Sequence, residues 1–269
     1  MKKTIVPILV ILTFCFALSS CDDFFSSSFG KRREYDQSKM NIDAGNIEEW
    51  VEKADKELAG PASEKTLDVL NNMPSGFSKD KAKLVRGGAK LAVKSTGLGE
   101  TILNNAVDAL TELLGEDSEK SEVEVLGEIL DKILDDFEKN GGANAADVLS
   151  DIINHAVKED TAGPNEAPKF EEEFIELLTP TEVAEAILLL VLDRIASIGE
   201  IYDNNWENLL YEVPYLTFNT SPPEVRVLSD AGPNDVALAA YLNLLLDPEF
   251  VKGDENIITK LFKDALLIK

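Results

Sequence analysis

The chain has 269 residues and carries 26 Lys and Arg against 50 Asp and Glu, with one His, for a net charge of −24 at pH 7. A surface of this charge repels the phosphates of nucleic acids, so nucleic acid is excluded as a partner. The acidic residues are spread along the chain. This distribution is typical of a solvated surface rather than of one site for a cationic ligand.

The N-terminal segment has the layout of a secretory signal. Lys2 and Lys3 precede an almost wholly apolar run over residues 5–18, and Leu18-Ser19-Ser20-Cys21 follows in place of an A-x-A-like cleavage site. The run is shorter than the roughly 20 apolar residues of a spanning helix. The Leu-Ser-Ser-Cys sequence resembles the lipobox of bacterial lipoproteins. This resemblance implies cleavage after Ser20 and attachment of fatty acyl chains, such as palmitate, to Cys21.

Two other interpretations of this segment stay open. One is an uncleaved N-terminal anchor, and the other is an ordinary cleaved signal followed by an incidental cysteine. Under the lipoprotein interpretation Cys15 is removed and Cys21 carries lipid, so the mature chain has no thiol for a disulfide. The protein is then extracytoplasmic and lipid-anchored, either at the periplasmic face of a membrane or at the cell surface.

The sequence divides into five segments. We predict a signal peptide at 1–20, the lipidated cysteine and a flexible tether at 21–45, a helical N-terminal lobe at 46–159, a linker or loop at 160–169 and a helical C-terminal lobe at 170–269. The linker contains two prolines and lacks apolar periodicity, which is typical of a loop. We interpret the lobes as two parts of one body.

Helix signals follow one another through the N-terminal lobe. Asn46 predicts a side-chain cap for a first helix that runs toward Leu58. Another helix is predicted from Ser78 to Gly97, where Gly87-Gly88 either weakens the helix or permits close packing. Apolar residues at helical spacing predict the remaining helices of this lobe: 62–73, 101–114, 123–137 and 145–157.

The C-terminal lobe begins its helices equally clearly. The sequence 179–182, Thr-Pro-Thr-Glu, combines a cap, a proline at the first helical position and the Glu of a capping box. The helix that follows to Ile198 is apolar nearly all round, so it is predicted to be central. A similar helix at 236–246 is predicted to pack near it, and 257–268 forms a closing helix. The predicted fold class is therefore all-α, a multi-helix array of the bundle or solenoid-like kind, with one irregular segment.

The sequence shows no motif for catalysis, metal binding or cofactor binding. His155 is the only histidine, and the lipoprotein interpretation leaves no free cysteine, so zinc sites built on His and Cys are excluded. Because His155 lies beside the apolar Ile152-Ile153, we interpret it as a partly buried structural residue. Carboxylates are so numerous that their pairing identifies no acid–base pair. We expect no enzyme activity, no cofactor and no metal site.

The irregular segment is 211–234. It contains four prolines, and its extended stretches at 215–220 and 224–228 predict either a short hairpin or two irregular crossings. A long loop in a helical protein is often functional, so we place a candidate ligand- or partner-binding site here. Aromatic residues supply apolar contact in this hypothesis, while Asn and Arg supply orientation. The candidate residues are Trp206, Tyr211, Tyr215, Phe218, Asn219 and Arg226.

The same residues have a structural interpretation. In it, the aromatic side chains fasten the segment to the core and Arg226 pairs with a nearby acid.

Three short stretches resemble uncharacterised, all-helical lipoproteins of spirochaetes. They are Ser-Ser-Ser-Phe-Gly-Lys at 26–31, Asn-Ile-Glu-Glu-Trp at 46–50 and Ala-Val-Lys-Ser-Thr-Gly-Leu-Gly at 92–99. The resemblance implies a helical periplasmic or surface lipoprotein and assigns no functional residue. We expect a membrane-anchored, non-catalytic binding or scaffold protein with a protein partner. The alternative is a solute-binding accessory lipoprotein of an uptake system, with a pocket between the lobes.

Overall fold

The computed structural model describes residues 39–98, 132–201, 216–220 and 223–250. These residues are predominantly helical and contain one two-stranded antiparallel hairpin, which confirms the predicted all-α fold class. Residues 132–139 are helical. The other α-helices are α1 (Ile47–Lys53), α2 (Lys56–Asn71), α3 (Lys79–Thr96), α4 (Gly142–Asn154), α5 (Glu172–Ile175), α6 (Pro180–Ile201) and α7 (Pro233–Leu246). The strands are β1 (Leu216–Thr220) and β2 (Pro223–Val227).

Two predicted helix starts and one predicted helix end are confirmed. The hydroxyl of Ser78 accepts a hydrogen bond from the backbone N–H of Lys81 at 3.3 Å, and α3 ends at Gly97, whose φ is +62°. Before α6, the backbone N–H of Glu182 donates to Thr179 Oγ1 at 3.3 Å. The backbone N–H of Thr179 donates to Glu182 Oε2 at 3.2 Å. This reciprocal pair is the predicted capping box.

The predicted cap at Asn46 is wrong. Asn46 precedes α1, but its side chain makes no capping hydrogen bond. Its Oδ1 accepts from the backbone N–H of Asp43 at 2.9 Å, and its Nδ2 donates to the carbonyl of Asn41 at 2.9 Å. Short amide side chains bond readily to neighbouring backbone groups. Here the side chain of Asn46 bonds within the turn that precedes α1, so it does not cap the first turn of the helix.

The first predicted helix is in fact two helices. α1 ends at Lys53, and Asp55 caps α2 by accepting from the backbone N–H of Leu58 at 2.9 Å. The predicted start of the second helix, residue 62, is also wrong, since Pro61 lies inside α2. Because the aspartate cap starts α2 early, the proline falls near the beginning of the helix, where its missing N–H removes one hydrogen bond.

α3 packs against α1, α2, α4, α5 and α6, and its two adjacent glycines allow this. Gly87 lies against the fully buried Ile47 of α1. A Cβ atom at Gly88 would lie 2.8 Å from Thr66 Cγ2 of α2 and 3.0 Å from Ile152 Cδ1 of α4. Real side chains rarely approach so closely, so the glycine pair permits close helix packing, the second of the two interpretations left open by the sequence.

α6 and α7 lie in the core, as predicted. Ile187 and Leu189 of α6, with Ala240 and Tyr241 of α7, are almost fully excluded from solvent. α7 packs against α4, α6 and β2. α6 has 22 residues. Neighbouring helices cover much of its surface, which explains why apolar residues lie on most sides of the helix.

One hydrophobic cluster contains residues from both sides of the predicted linker. The ring of Phe170 packs edge-on against Phe174 at 5.2 Å and against Tyr241 at 5.0 Å between centroids. The linker itself is tied to the body at two points. The backbone N–H of Asn165 donates to the carbonyl of Val227 at 2.7 Å, and the N–H of Val227 donates to the carbonyl of Glu166 at 3.1 Å.

Several predictions fall on residues outside the described ranges. They are the signal segment and the tether up to residue 38, including Cys21, the helices at 101–114 and 257–268, residues 123–131 of the helix predicted at 123–137, and the positions of Trp206, Tyr211 and Tyr215.

Candidate functional site

The irregular segment contains the hairpin. β1 and β2 are antiparallel, with Phe218 opposite Val225, Asn219 opposite Glu224, and Thr217 opposite Arg226 in the register. Val225 and Val227 are buried, whereas Arg226 between them is exposed. β2 packs against α7. One side of β2 therefore faces the helical core and the other faces solvent, as side chains alternate along a strand.

Asn243 of α7 attaches β2 to the body. Its Oδ1 accepts the backbone N–H of Val225 at 2.7 Å. Its Nδ2 donates to the carbonyl of Val225 at 2.8 Å and to the carbonyl of Pro168 at 3.1 Å. A single side-chain amide thus pairs with both backbone polar groups of Val225, a role that a third strand normally fills.

Arg226 is the candidate site residue whose side chain the structure describes. Its Nε and Nη2 approach Glu224 Oε1 at 2.6 and 2.5 Å, and its Nη1 donates to the carbonyl of Asn165 at 3.4 Å. The pairing with a nearby acid is the structural alternative raised for this residue. The side chain of Arg226 is 44 % exposed and that of Glu224 is 21 % exposed, so water screens the pair in part and its contribution to stability is about 1 kcal/mol or less.

The structure brings three of the predicted site residues onto one hairpin: Phe218 and Asn219 in β1, and Arg226 in β2. The other three lie outside the described ranges, so their grouping with the hairpin stays a prediction.

A charged network joins α1, α3 and α6, and the sequence analysis missed it. Arg86 of α3 donates to both carboxylate oxygens of Glu182 of α6, through Nη2 to Oε1 at 2.7 Å and through Nε to Oε2 at 3.1 Å. Its Nη1 reaches Glu48 Oε1 of α1 at 2.9 Å. Lys90 Nζ lies 3.0 Å from Glu182 Oε1.

A signal for this network exists in the sequence. α3 carries cations at intervals of four and three residues, which places them along one stripe of a helix in an otherwise acidic chain. Such a stripe predicts that acidic residues pack along it. The stripe consists of Lys79, Lys83, Arg86, Lys90 and Lys94.

The pKa values of two carboxyl groups in this network are shifted in opposite directions. Burial disfavours the charged form of Glu182, but the hydrogen bonds and charges of Arg86 and Lys90 outweigh it and lower its pKa. Glu185 lies one turn further along α6. Burial and the charge of Glu182, opposed by Lys90, raise the pKa of Glu185 to about 7.

A second polar network joins α4, α6 and α7. The Nδ2 group of Asn234 donates to Asp147 Oδ1 at 3.1 Å and to Asp193 Oδ2 at 2.9 Å. Arg194 Nη2 lies 3.2 Å from Asp235 Oδ1. Burial raises the pKa of both Asp193 and Asp235 above the usual range. Within the described ranges, no group of three or more His, Cys, Asp or Glu side chains is placed to hold a metal ion.

His155 follows α4 and is half-buried. Its Nε2 lies 3.1 Å from Asn71 Oδ1 of α2, and burial, with the charge of Lys81, lowers its pKa. This contact between two helices fits the structural interpretation of the residue.

Comparison of the chain with known protein families, with curated proteins and with solved structures found no match. Over the described part of the chain, no helix has both the length and the apolar character needed to cross a bilayer.

Proposed function

We propose that this protein is a bacterial lipoprotein, anchored at the extracytoplasmic side of a membrane through acyl chains on Cys21, and that its helical body is a non-catalytic binding or scaffold protein. The observation that carries the proposal is the sequence Leu18-Ser19-Ser20-Cys21 after a short apolar run with two lysines before it. Each buried CH₂ group contributes about 0.8 kcal/mol, so several acyl chains anchor a protein stably where one does not.

The hairpin supports the choice of a binding surface. Its β2 strand buries Val225 and Val227 and exposes Arg226. The body to which it is attached is a packed helical array, against which Val225 and Val227 are buried while Arg226 faces solvent. Aromatic residues of the irregular segment, with Arg226, form the kind of set that dominates protein–protein contacts. The proposed partner is therefore a protein that docks on the segment 211–234.

The anchor is tested by removing the proposed lipid site. Cys21→Ala should abolish incorporation of a labelled fatty acid into the protein and release it from the membrane fraction, because no other residue is proposed to carry lipid. The matched control is Cys15→Ala, which changes a cysteine inside the proposed signal and should leave labelling intact. Equal labelling of the Cys21→Ala variant and the wild type would exclude the lipoprotein interpretation.

The binding surface is tested by capture of proteins from a membrane extract. Tyr215→Ala and Arg226→Ala should each reduce recovery of a partner several-fold while leaving far-ultraviolet circular dichroism unchanged. Lys139→Ala is the control, because Lys139 is likewise exposed and lies 3.5 Å from Asp135 in a surface ion pair. If both site variants lose helicity yet still bind when folded, the segment is structural. Copurification of a small ligand without any protein would favour the solute-binding alternative.

A further inference from the structure

Two cationic side chains contact Glu182, although one is enough to pair with its single carboxylate. Its Oε1 is shared between Arg86 Nη2 at 2.7 Å and Lys90 Nζ at 3.0 Å, while its Oε2 is bonded by Arg86 Nε at 3.1 Å. Arg86 alone makes the two-pronged contact that a guanidinium and a carboxylate prefer. Lys90 is therefore a second cation on an acid that is already paired.

Glu185 is an acid on which the charge of this second cation acts. It follows Glu182 by three residues on α6, a spacing at which side chains are neighbours on a helix surface. It is half-buried, and the charges that act on it are those of Glu182 and Lys90. The described residues place no cation within 4.0 Å of its carboxylate, whereas Lys90 lies within that distance of Glu182.

The other charged groups described around this part of α6 are paired with groups other than Glu185. From α3, Arg86 holds Glu182, and it also holds Glu48 of α1. From α4 and α7, the acidic groups lie further along α6, where Asp147 meets Asp193 through Asn234 and Asp235 pairs with Arg194. Among the residues that the structure describes, the phenol of Tyr241 on α7 also faces this part of α6, and its pKa is raised by burial and by the charge of Glu182.

We propose that Lys90, Glu182 and Glu185 form a proton-operated contact between α3 and α6. While Glu185 is protonated, Lys90 bonds to Glu182 alone. When Glu185 releases its proton to solvent, Lys90 is shared between the two carboxylates, and Arg86 keeps Glu182 in place. The contact is an internal device of the helical body and does not depend on the proposed anchoring or partner binding.

The sign of the effect on stability follows from linkage. The pKa of Glu185 is about 7 in the folded protein, against an ordinary value of 4.5. The folded state therefore holds this proton more tightly than the unfolded state does. The stabilisation is complete below the ordinary value and is lost as the pH rises through about 7.

The test uses the purified full-length protein, in detergent, and two measurements. Carboxyl ¹³C resonances of labelled glutamate, assigned with Glu185→Gln, give the titration midpoint of Glu185. Urea unfolding at pH 5, 6, 7 and 8 gives the pH dependence of the free energy of unfolding. We expect a midpoint near 7, and we expect Glu185→Gln to remove most of the fall in stability between pH 5 and 8. Glu52→Gln, an exposed change on α1, should follow the wild-type curve.

Lys90→Met tests the sharing of the lysine. An opposite charge at 4–6 Å commonly shifts a carboxyl pKa by about 1–3, so losing Lys90 should raise the Glu185 midpoint by about one pH unit. A wild-type midpoint below 5.5, an unchanged midpoint in Lys90→Met, or an unchanged pH slope in Glu185→Gln would each overturn the proposal. The titration of the wild-type protein needs no variant, so it decides even if a variant fails to fold.

Discussion

Replacing Gly87 with alanine is expected to lower the free energy of unfolding by about 2 kcal/mol. In the interior of an ordinary helix the same change stabilises by about 1 kcal/mol, because glycine has the greater conformational freedom in the unfolded chain. Here the new Cβ would overlap the side chain of Ile47, which is fully buried between α1 and α3. Overpacking a core typically costs about 1–3 kcal/mol or more, so the clash decides the sign.

Gly60→Ala is the matched control for this prediction. Gly60 is in α2, and the nearest atom to a Cβ at this position is Ser95 Cβ at 3.6 Å, an ordinary contact distance. Gly60 precedes Pro61, whose ring crowds a Cβ atom on a helical residue before it and offsets the usual gain from alanine, so this variant should stay within about 1 kcal/mol of the wild type. Urea unfolding measures both. If Gly87→Ala were as stable as Gly60→Ala, the close approach of α1 to α3 would be contradicted. Because Ile47→Ala removes the side chain that the new Cβ overlaps, the double variant should lose less stability than the two single variants together.

Arg86→Met is the second change with a large expected effect, a loss of about 3 kcal/mol at neutral pH. The guanidinium bonds Glu182 of α6 and Glu48 of α1, and its side chain is 21 % exposed against 12 % for Glu182. Methionine keeps the packing of the stem but leaves a half-buried carboxylate with Lys90 alone. Removing one partner of a buried pair commonly costs about 3–5 kcal/mol, and the remaining lysine places the estimate at the low end.

The pH dependence separates this charge effect from lost packing. The pKa of Glu182 is lowered in the folded protein, so its stabilisation is present above the ordinary value of 4.5 and is lost as the pH falls through the folded value. The difference between the wild type and Arg86→Met should therefore shrink at low pH. A difference that is constant with pH would mean that packing alone is lost.

Lys53→Met is the control for Arg86→Met. Lys53 pairs with Glu49 at 3.0 Å, but both side chains are about 70 % exposed, at 73 and 68 %. Water screens such a pair, so the change should alter stability by less than about 0.5 kcal/mol.

The parts of the fold that could be predicted are those whose cause lies within a few residues. Ser78 and the pair Thr179 and Glu182 bond backbone groups three residues away, and the sequence shows both partners at once. The same reasoning was wrong at Asn46. Its side chain could bond either the first turn of α1 or the turn before the helix, and it bonds the turn before the helix. A capping pattern predicts which groups can bond, and the surrounding packing decides which of them do.

The contacts that organise the candidate site and the core have distant causes. Arg86 and Glu182 are 96 positions apart, and nothing near either residue identifies the other. The sequence predicted an irregular, partly extended segment at 211–234. It could not predict that Asn243, an ordinary helical position, bonds β2, because that contact exists only once α7 and the hairpin have met.

The attachment of β2 through Asn243 also bears on how the molecule opens. A strand held by a full ladder is released only when many bonds break together. β2 is held to the helical body at Val225, by Asn243, and at Val227, by the backbone of residues 165 and 166, so fewer bonds must break for it to separate in a local event. Proteins expose such units by sub-global unfolding, well below the energy of complete denaturation. The amide hydrogen of Val225 is then a natural reporter. Its hydrogen-exchange rate measures local opening of the hairpin, separately from the slower hydrogen exchange of the helical core.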